Sequence, residues 1–568
     1  MLLDSLHIAA KSLNAGSVGI QVSGQNVTNA GIAGYVREQA LTGTSNPRKT
    51  GSGIALGTGV EVNGVIQMID LYLEERLRNS QSDAMSSSTQ SGVYSQLEFI
   101  LNELTDKDLS TQLDDFFNSI GGVLNQPENL SVRQMVVDNG VQLADQIINM
   151  SNAILKQRVD INRSIADLAP QINLLTKEIE NLNNAIAQIE AGRSPGIEAV
   201  GLRDQRLVAL SNLSSLINIK THEDDNGVVT VSCGNDILIS SNGARELTVF
   251  YANDPYGDLS LAEIRFASDN SPLDVHSGKL YGLYAGRDAI LGEFSKQLDD
   301  YAASLIVQFN AIYSSGQGLT GYDELTSLTS VSEIDVSLDK LGLKPPPQNG
   351  VFSIIVQNKQ TGVSKATEIL VPLTGSGKES MTLAGLVAEI DKIEGITARI
   401  TIDNKLEIYS DSPELQFAFA DDTAGILSAL GMNTFFTGTD ARTIGVNATL
   451  RHDPGKFAVS KTGIGEDVNN GVMLAAMPEE RRTEYGNKSI TESYRFSVTD
   501  VMSKAGVLKA VSTGEISYYM SLQTQRDSIS GVDIDEETIM LMNYQRIYQA
   551  SAKYVTIINE MLDALLAM

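Results

Sequence analysis

Apolar residues recur at alternating spacings of four and three at both ends of this 568-residue chain, which restricts each end to an amphipathic helix that needs a partner. At the N-terminus the row is Leu2, Leu6, Ala9, Leu13, Gly16 and Ile20. At the C-terminus it is Leu541, Tyr544, Tyr548, Ser551, Val555, Ile558, Leu562 and Leu565, flanked by a second row of Ile547, Tyr554, Met561 and Met568. A lone amphipathic helix is marginal in water, so each stripe predicts a partner, either the other stripe or the same helices of further copies of the chain.

A third run is the most regular: Ile154, Arg158, Ile161, Ile165, Leu168, Ile172, Leu175, Ile179, Leu182, Ile186 and Ile189. Uninterrupted, it would make a helix ~54 Å long at 1.5 Å per residue, but Pro170 is expected to kink or divide it. Gly192 to Gly196 reads as a turn, and Leu202 to Leu216 as a returning helix, giving an antiparallel pair. Ile217 to His222 and Val228 to Ser232 then read as strands around an Asn226-Gly227 hairpin turn. Leu280 to Tyr313 returns to helix. Beyond Pro345-Pro346-Pro347 the pattern predicts a mixed module: a strand at Val351 to Val356, a helix at Leu383 to Ile390, and a hairpin from Ala398 to Tyr409 turning at Asp403-Asn404. Residues 491 to 526 are again helical in pattern, and Gly531 separates them from the terminal helix.

Charge narrows the function. Seventy Asp and Glu against 42 Lys and Arg give a net charge of -28, and no segment is strongly basic. A protein that grips phosphate backbones needs a basic face, so nucleic acid is excluded as a partner. The acidity is uneven: residues 46 to 330 hold 37 acids and 19 bases, whereas residues 1 to 45 hold two of each. The single cysteine, Cys233, rules out an internal disulfide and a cysteine-rich zinc site. His7, His222, His276 and His452 are dispersed, so no metal and no cofactor are expected. The N-terminus lacks the basic and apolar regions of a cleaved leader, and no apolar run approaches the ~18 residues that span a bilayer, so no membrane association is expected either.

Motifs suggestive of chemistry dissolve on inspection. Gly375-Ser-Gly-Lys378 resembles a phosphate-binding loop, but Pro372 stands where glycine is needed and Glu379 where a hydroxyl would meet magnesium. Gly51-Ser-Gly53 to Gly57 misses the dinucleotide spacing by one residue. His222 to Gly227 lacks the alternating ligands of a calcium loop and reads as a solvated hairpin. Asp535-Glu536-Glu537 is explained by the dipole of the helix it opens, and Cys233 by packing in a β-rich run. No catalytic residue is expected.

The two ends also carry a resemblance. Gly24-Gln25-Asn26-Val27-Thr28-Asn29-Ala30 followed by Gly34-Tyr35 resembles the N-terminal signature of the flagellar rod/hook axial protein family, with Gln25, Thr28 and Ala33 departing from the usual Asn, Ala and Pro. Ser530-Gly531-Val532-Asp533 and Tyr544-Gln545-Arg546-Ile547-Tyr548-Gln549-Ala550 resemble the tail of its hook–filament junction members. Asp204-Gln205-Arg206 leading into Leu216, and Gly278-Lys-Leu-Tyr with Arg287-Asp288, are similar to that branch in order and type.

The resemblance implies a structural subunit of the bacterial flagellum, exported unfolded through the type III route from the cytoplasm and assembled outside the cell. It further implies contacts with its own copies, the hook protein and a second junction protein on the filament side, and a cytoplasmic export chaperone on the C-terminal helix. The expected fold is mainly α with an inserted α+β module, an elongated multidomain axial protein whose N- and C-terminal helices pair in a coiled-coil-like core. Residues 1–45 and 525–568 are expected to form the polymerisation domain, 46–330 and 451–524 a helical body, and 331–450 the outer mixed module. Two alternatives stay open: another axial protein such as the hook subunit, or an outer module with a binding or enzymatic role.

Overall fold

A computed structural model describes residues 2–49, 55–101, 108–190, 198–255, 257, 259–373, 380–481 and 487–567. Its helices are α1 Leu2–Asn29, α2 Leu71–Leu101, α3 Leu109–Asn125, α4 Leu130–Ala166, α5 Leu168–Glu190, α6 Val200–Leu216 and α7 Gly278–Tyr284. They continue with α8 Glu293–Tyr313, α9 Leu383–Ile390, α10 Ile426–Leu430, α11 Ala448–His452, α12 Asn469–Ala476, α13 Ile490–Ser530 and α14 Ile534–Leu566. The backbone thus divides into two compact units, one of residues 1–93, 159–289 and 505–568, the other of residues 94–158 and 290–504.

The first unit contains both chain ends. α1 packs along α14, and the antiparallel strands Glu38–Thr44 and Val60–Gln67 follow α1, with a bulge between Leu41 and Thr42. Leu73 and Leu77 of α2 bury Leu522 of α13 between them, and the Arg526 Nε donates to the Glu74 carboxylate at 2.8 Å. The long heptad run is divided as Pro170 requires: α4 stops at Ala166 and α5 begins at Leu168, which places the proline in the first turn, where its missing N–H costs nothing. α5 and α6 run antiparallel, since Glu190 pairs with Arg203 while Asn183 pairs with Arg206. The turn expected at 192–196 lies outside the described residues.

The hairpin after α6 is as read. Lys220–Glu223 pairs with Val229–Cys233, and Gly227, at φ +79°, takes the left-handed conformation that the turn demands. Buried Arg206 fastens this turn to α5 by donating to the Gly227 carbonyl at 2.5 Å and to the Asn183 side chain at 2.9 Å.

In the second unit α3, α8 and the segment at Phe435-Phe436 build an aromatic core. Phe116, Phe309, Phe435 and Phe436 meet at ring separations between 4.8 and 5.5 Å. The Asn310 amide secures it: its oxygen accepts the Phe435 and Phe436 N–H groups at 3.0 Å, and its nitrogen donates to the Phe436 carbonyl at 2.8 Å. The mixed module has its own core, running in sequence from Tyr322 to Met432. One sheet orders its strands 364–371, 350–358, 415–420, and the other 324–326, 406–410, 396–400. The expected helix forms at Leu383–Ile390, N-capped by Thr382, and the expected hairpin turns at Asn404 with φ +55°.

Candidate functional site: the paired chain ends

α1 and α14 lie antiparallel. The Ser12 hydroxyl meets that of Ser551 at 2.7 Å, Gly16 lies on the backbone of Tyr548, and Gly19 lies on the ring of Tyr544. On α1 the contact runs through Ser12, Gly16 and Gly19, with Ala9 and Ser23 buried in the same row, spaced at three and four but built from small residues. On α14 it is Glu537, Leu541, Tyr544, Tyr548, Ser551, Val555, Ile558 and Leu562, the register read from sequence with Glu537 added at its head. The asymmetry has a packing cause. The Tyr544 ring lies between the axes at Gly19 and the Tyr548 backbone lies against Gly16, so α1 can approach there only with small residues. Of the expected N-terminal row, Ala9 and Gly16 are buried, whereas Leu6, Leu13 and Ile20 stand half-buried at the border of the contact. Leu2 opens α1.

α14 exposes much of what remains. Ile547, Tyr554, Met561 and Leu565 all face solvent. Met568 lies outside the described residues.

At the root of the pair, the residues of the two terminal motifs converge. The buried Asn26 amide acts as a strand edge for the chain that follows α1: its nitrogen donates to the Glu38 carbonyl at 2.9 Å, and its oxygen accepts the Glu38 N–H at 3.0 Å and the Tyr35 hydroxyl at 2.8 Å. Asn29 and Ala30 end the helix, the Asn29 carbonyl accepting the Ile32 N–H at 2.9 Å. Gly34 sits at φ +84° against Val208, where a Cβ would fall 2.2 Å from a methyl carbon. From the other end, the Ser530 carbonyl accepts the Arg37 N–H at 2.8 Å, and Gly531 turns the chain from α13 into α14 so tightly that a Cβ would lie 2.2 Å from the Asp527 carbonyl oxygen. Gln545, Gln549 and Ala550, by contrast, are exposed along α14.

Two charged residues that the sequence reading did not single out, Arg37 and Glu38, complete this root. Arg37 donates to the buried Glu537 carboxylate at 2.7 Å and stands 3.3 Å from that of Glu536. Glu38 is the register partner of Gln67, whose amide donates to Asp204 of α6 at 2.5 Å, so two buried carboxyls share one site. Burial, followed by the charge of Asp204, pushes the Glu38 carboxyl up to about 7. Burial likewise pushes Asp204 up to about 6, against the Gln67 and Val36 hydrogen bonds that favour its charged form. The signal available in the sequence was the charge itself: Arg37 and Glu38 are half of the four charges in the first 45 residues.

Of the remaining motifs, the 222–227 turn and Cys233 are structural. In the 222–227 turn, Asp224 accepts the N–H groups of Asn226 and Val228 at 3.0 and 2.9 Å, an Asx turn. Cys233 is buried, and burial pushes its thiol up to about 12. Residues 375–378, and 51–54 of the other glycine-rich segment, lie outside the described residues. Among the described residues no three His, Cys, Asp or Glu side chains gather as metal ligands would, and no helix is long and apolar enough to cross a membrane.

Comparison with known proteins follows the same outline. Residues 94–325 match the family model described as the flagellar hook-associated protein FlgK helical domain, and residues 523–568 match the flagellar basal body rod FlgEFG protein C-terminal model. The chain is 24% identical to flagellar hook-associated protein 1 of Escherichia coli (strain K12), covering 98% of each chain. It is 23% identical to the protein of that name in Bacillus subtilis (strain 168), over 98% of this chain and 96% of the relative. Its fold is similar to the solved flagellar hook junction protein FlgK from Burkholderia pseudomallei, with a TM-score of 0.51 at 16% identity, covering 80% of this chain and 100% of that one.

Proposed function

Because the chain belongs to the flagellar hook-associated protein 1 family and is a structural subunit of the bacterial flagellum at the junction between hook and filament, we propose that its paired ends are the device that builds it into that junction. The observation that carries this reading is the surplus on α14, which covers α1 with one face while leaving Ile547, Tyr554, Met561 and Leu565 in water. In the assembly, neighbouring copies cover that row, together with Leu6, Leu13 and Ile20 at the border of the α1 contact. Burying an aliphatic side chain contributes roughly 1.5 to 3 kcal/mol, so several per helix offset the cost of ordering it only once neighbours are present.

Residues 1–45 and 525–568 form the polymerisation domain on this reading, 46–330 and 451–524 the body, and 331–450 an outer module. The role is architectural, without catalysis. The chain travels unfolded from the cytoplasm through the type III export route, which a single cysteine suits, and a chaperone covers the C-terminal helix beforehand. The hook protein adjoins one side and a second junction protein the other.

Immunolabelling of intact flagella tests the placement: a narrow band between hook and filament is expected, and label along the hook would overturn it. Deletion of residues 530–568 tests the mechanism and should abolish both incorporation and chaperone binding.

A further inference from the structure

α14 has a third face, turned away from α1. Ile539, Met542, Arg546, Lys553 and Ile557 lie on it at helical spacing, and Ile539, Met542 and Ile557 are 55%, 47% and 42% exposed. Arg546 and Lys553 stand one heptad apart, both exposed and, among the described residues, in no ion pair.

A groove of about 910 Å3 opens at the root of the helix pair, between the turn after α1 and the joint of α13 with α14. Ile32 and Ile534 line it, 59% and 52% exposed, and Asp527, Asp533, Asp535 and Glu536 rim it. Its two guanidinium groups are already engaged, Arg37 by Glu536 and Glu537, and Arg526 by Glu74 and Asp527, which leaves six carboxylates around two cations. The groove therefore pairs apolar side chains with excess negative charge, the complement of the stretch of the outer face of α14 from Ile539 to Ile557, which pairs apolar side chains with the cations Arg546 and Lys553 ahead of Glu560. One copy cannot satisfy itself: eleven residues of straight helix, about 16 Å, separate Asp535 from Arg546.

We infer that the outer face of α14 docks in the joint groove of a second copy, with Arg546 and Lys553 against its carboxylates. A contact between two different surfaces of identical subunits repeats head to tail, which is what a ring or helical array requires. Opposite charges across it set register and exclude misaligned neighbours. This rests on the reading that the chain assembles through its ends, and specifies which surface of a neighbour each end meets.

The test is charge reversal in the full chain, in cells lacking their own copy. Arg546→Glu with Lys553→Glu, and separately Asp535→Lys with Glu536→Lys, should each lower incorporation into flagella at least tenfold, and all four together should restore it to within about threefold of wild type. Melting of each purified variant establishes that it folds. Reversals that incorporate normally, or a fourfold variant that is not restored, overturn the docking. The 530–568 deletion separates the two claims: if it blocks incorporation while the reversals do not, assembly through the ends stands and this contact falls, whereas normal incorporation of the deletion overturns both.

Discussion

Gly19 lies against the ring of Tyr544 so closely that a methyl group at residue 19 would stand 2.4 Å from the ring Cδ1 atom. One turn away the helices also approach closely, since a Cβ on Gly16 would lie 3.2 Å from the Tyr548 backbone nitrogen. Gly19→Val should therefore push α1 off α14, an overpacking penalty of roughly 1 to 3 kcal/mol confined to the terminal pair. Incorporation into flagella should fall at least tenfold with little change in the melting of the rest of the chain. Tyr544→Leu, which removes the ring, should recover part of the loss, and a Gly19→Val chain that assembles like wild type would refute the close approach.

Arg37, the residue before the strand that follows α1, reaches a carboxylate that α14 buries. Removing only the cation strands the Glu537 charge in a dry site, and breaking such a pair costs roughly 3 to 5 kcal/mol, less here because Arg37 keeps some exposure to water. Arg37→Ala should therefore weaken the root of the pair more than Arg37→Ala combined with Glu537→Leu does. Hydrogen exchange of residues 26–40 and 530–540 reads the order directly. Equal protection in the single and double variants would show that the pair is incidental.

These two contacts also mark where sequence reading succeeds and where it stops. The helical stripe of α14 was legible because most of its residues are large and apolar, although Leu565 faces solvent, and the break in the long heptad run because proline has one backbone consequence. The hairpins at Gly227 and Asn404 announced themselves through turn chemistry. The contact face of α1 was legible only in part, since the periodicity took in Gly16 but otherwise followed Leu6, Leu13 and Ile20 and passed over Ser12 and Gly19, which touch the partner. Glu537 read as a helix-dipole charge because nothing local connects it to Arg37, 500 residues away. Gln67 and Asp204, likewise, are joined only by the fold.

The buried carboxyls of Glu38 and Asp204 make the root of the pair sensitive to pH. Their ordinary values are 4.5 and 3.8, and the fold raises them to about 7 and about 6. A group raised by folding contributes stability that is complete below its unfolded pKa and is lost as pH rises through the folded one. The urea midpoint should therefore decline from about pH 4 to pH 7, and Glu38→Gln should flatten the upper part of that decline. A midpoint that rises across this window, or an unchanged slope in the variant, would contradict the shared site.

Protection from solvent exchange should be graded along the terminal helices of the free chain. Residues 26–38 and 530–537 are tied by the Asn26 amide, the Arg37 ion pair and the Ser530 carbonyl, whereas the far stretch of the pair, Ala9 to Ser12 against Ser551 to Ile558, holds by few buried side chains. Local opening follows buried apolar contact, so residues 2–20 and 545–566 should exchange orders of magnitude faster than α5 and α6, with protection rising toward the root. On assembly the same segments should become as protected as the body. Uniform protection of both helices in the monomer would mean that the pair is complete without neighbours, and the exposed row of Ile547, Tyr554, Met561 and Leu565 would then need another explanation.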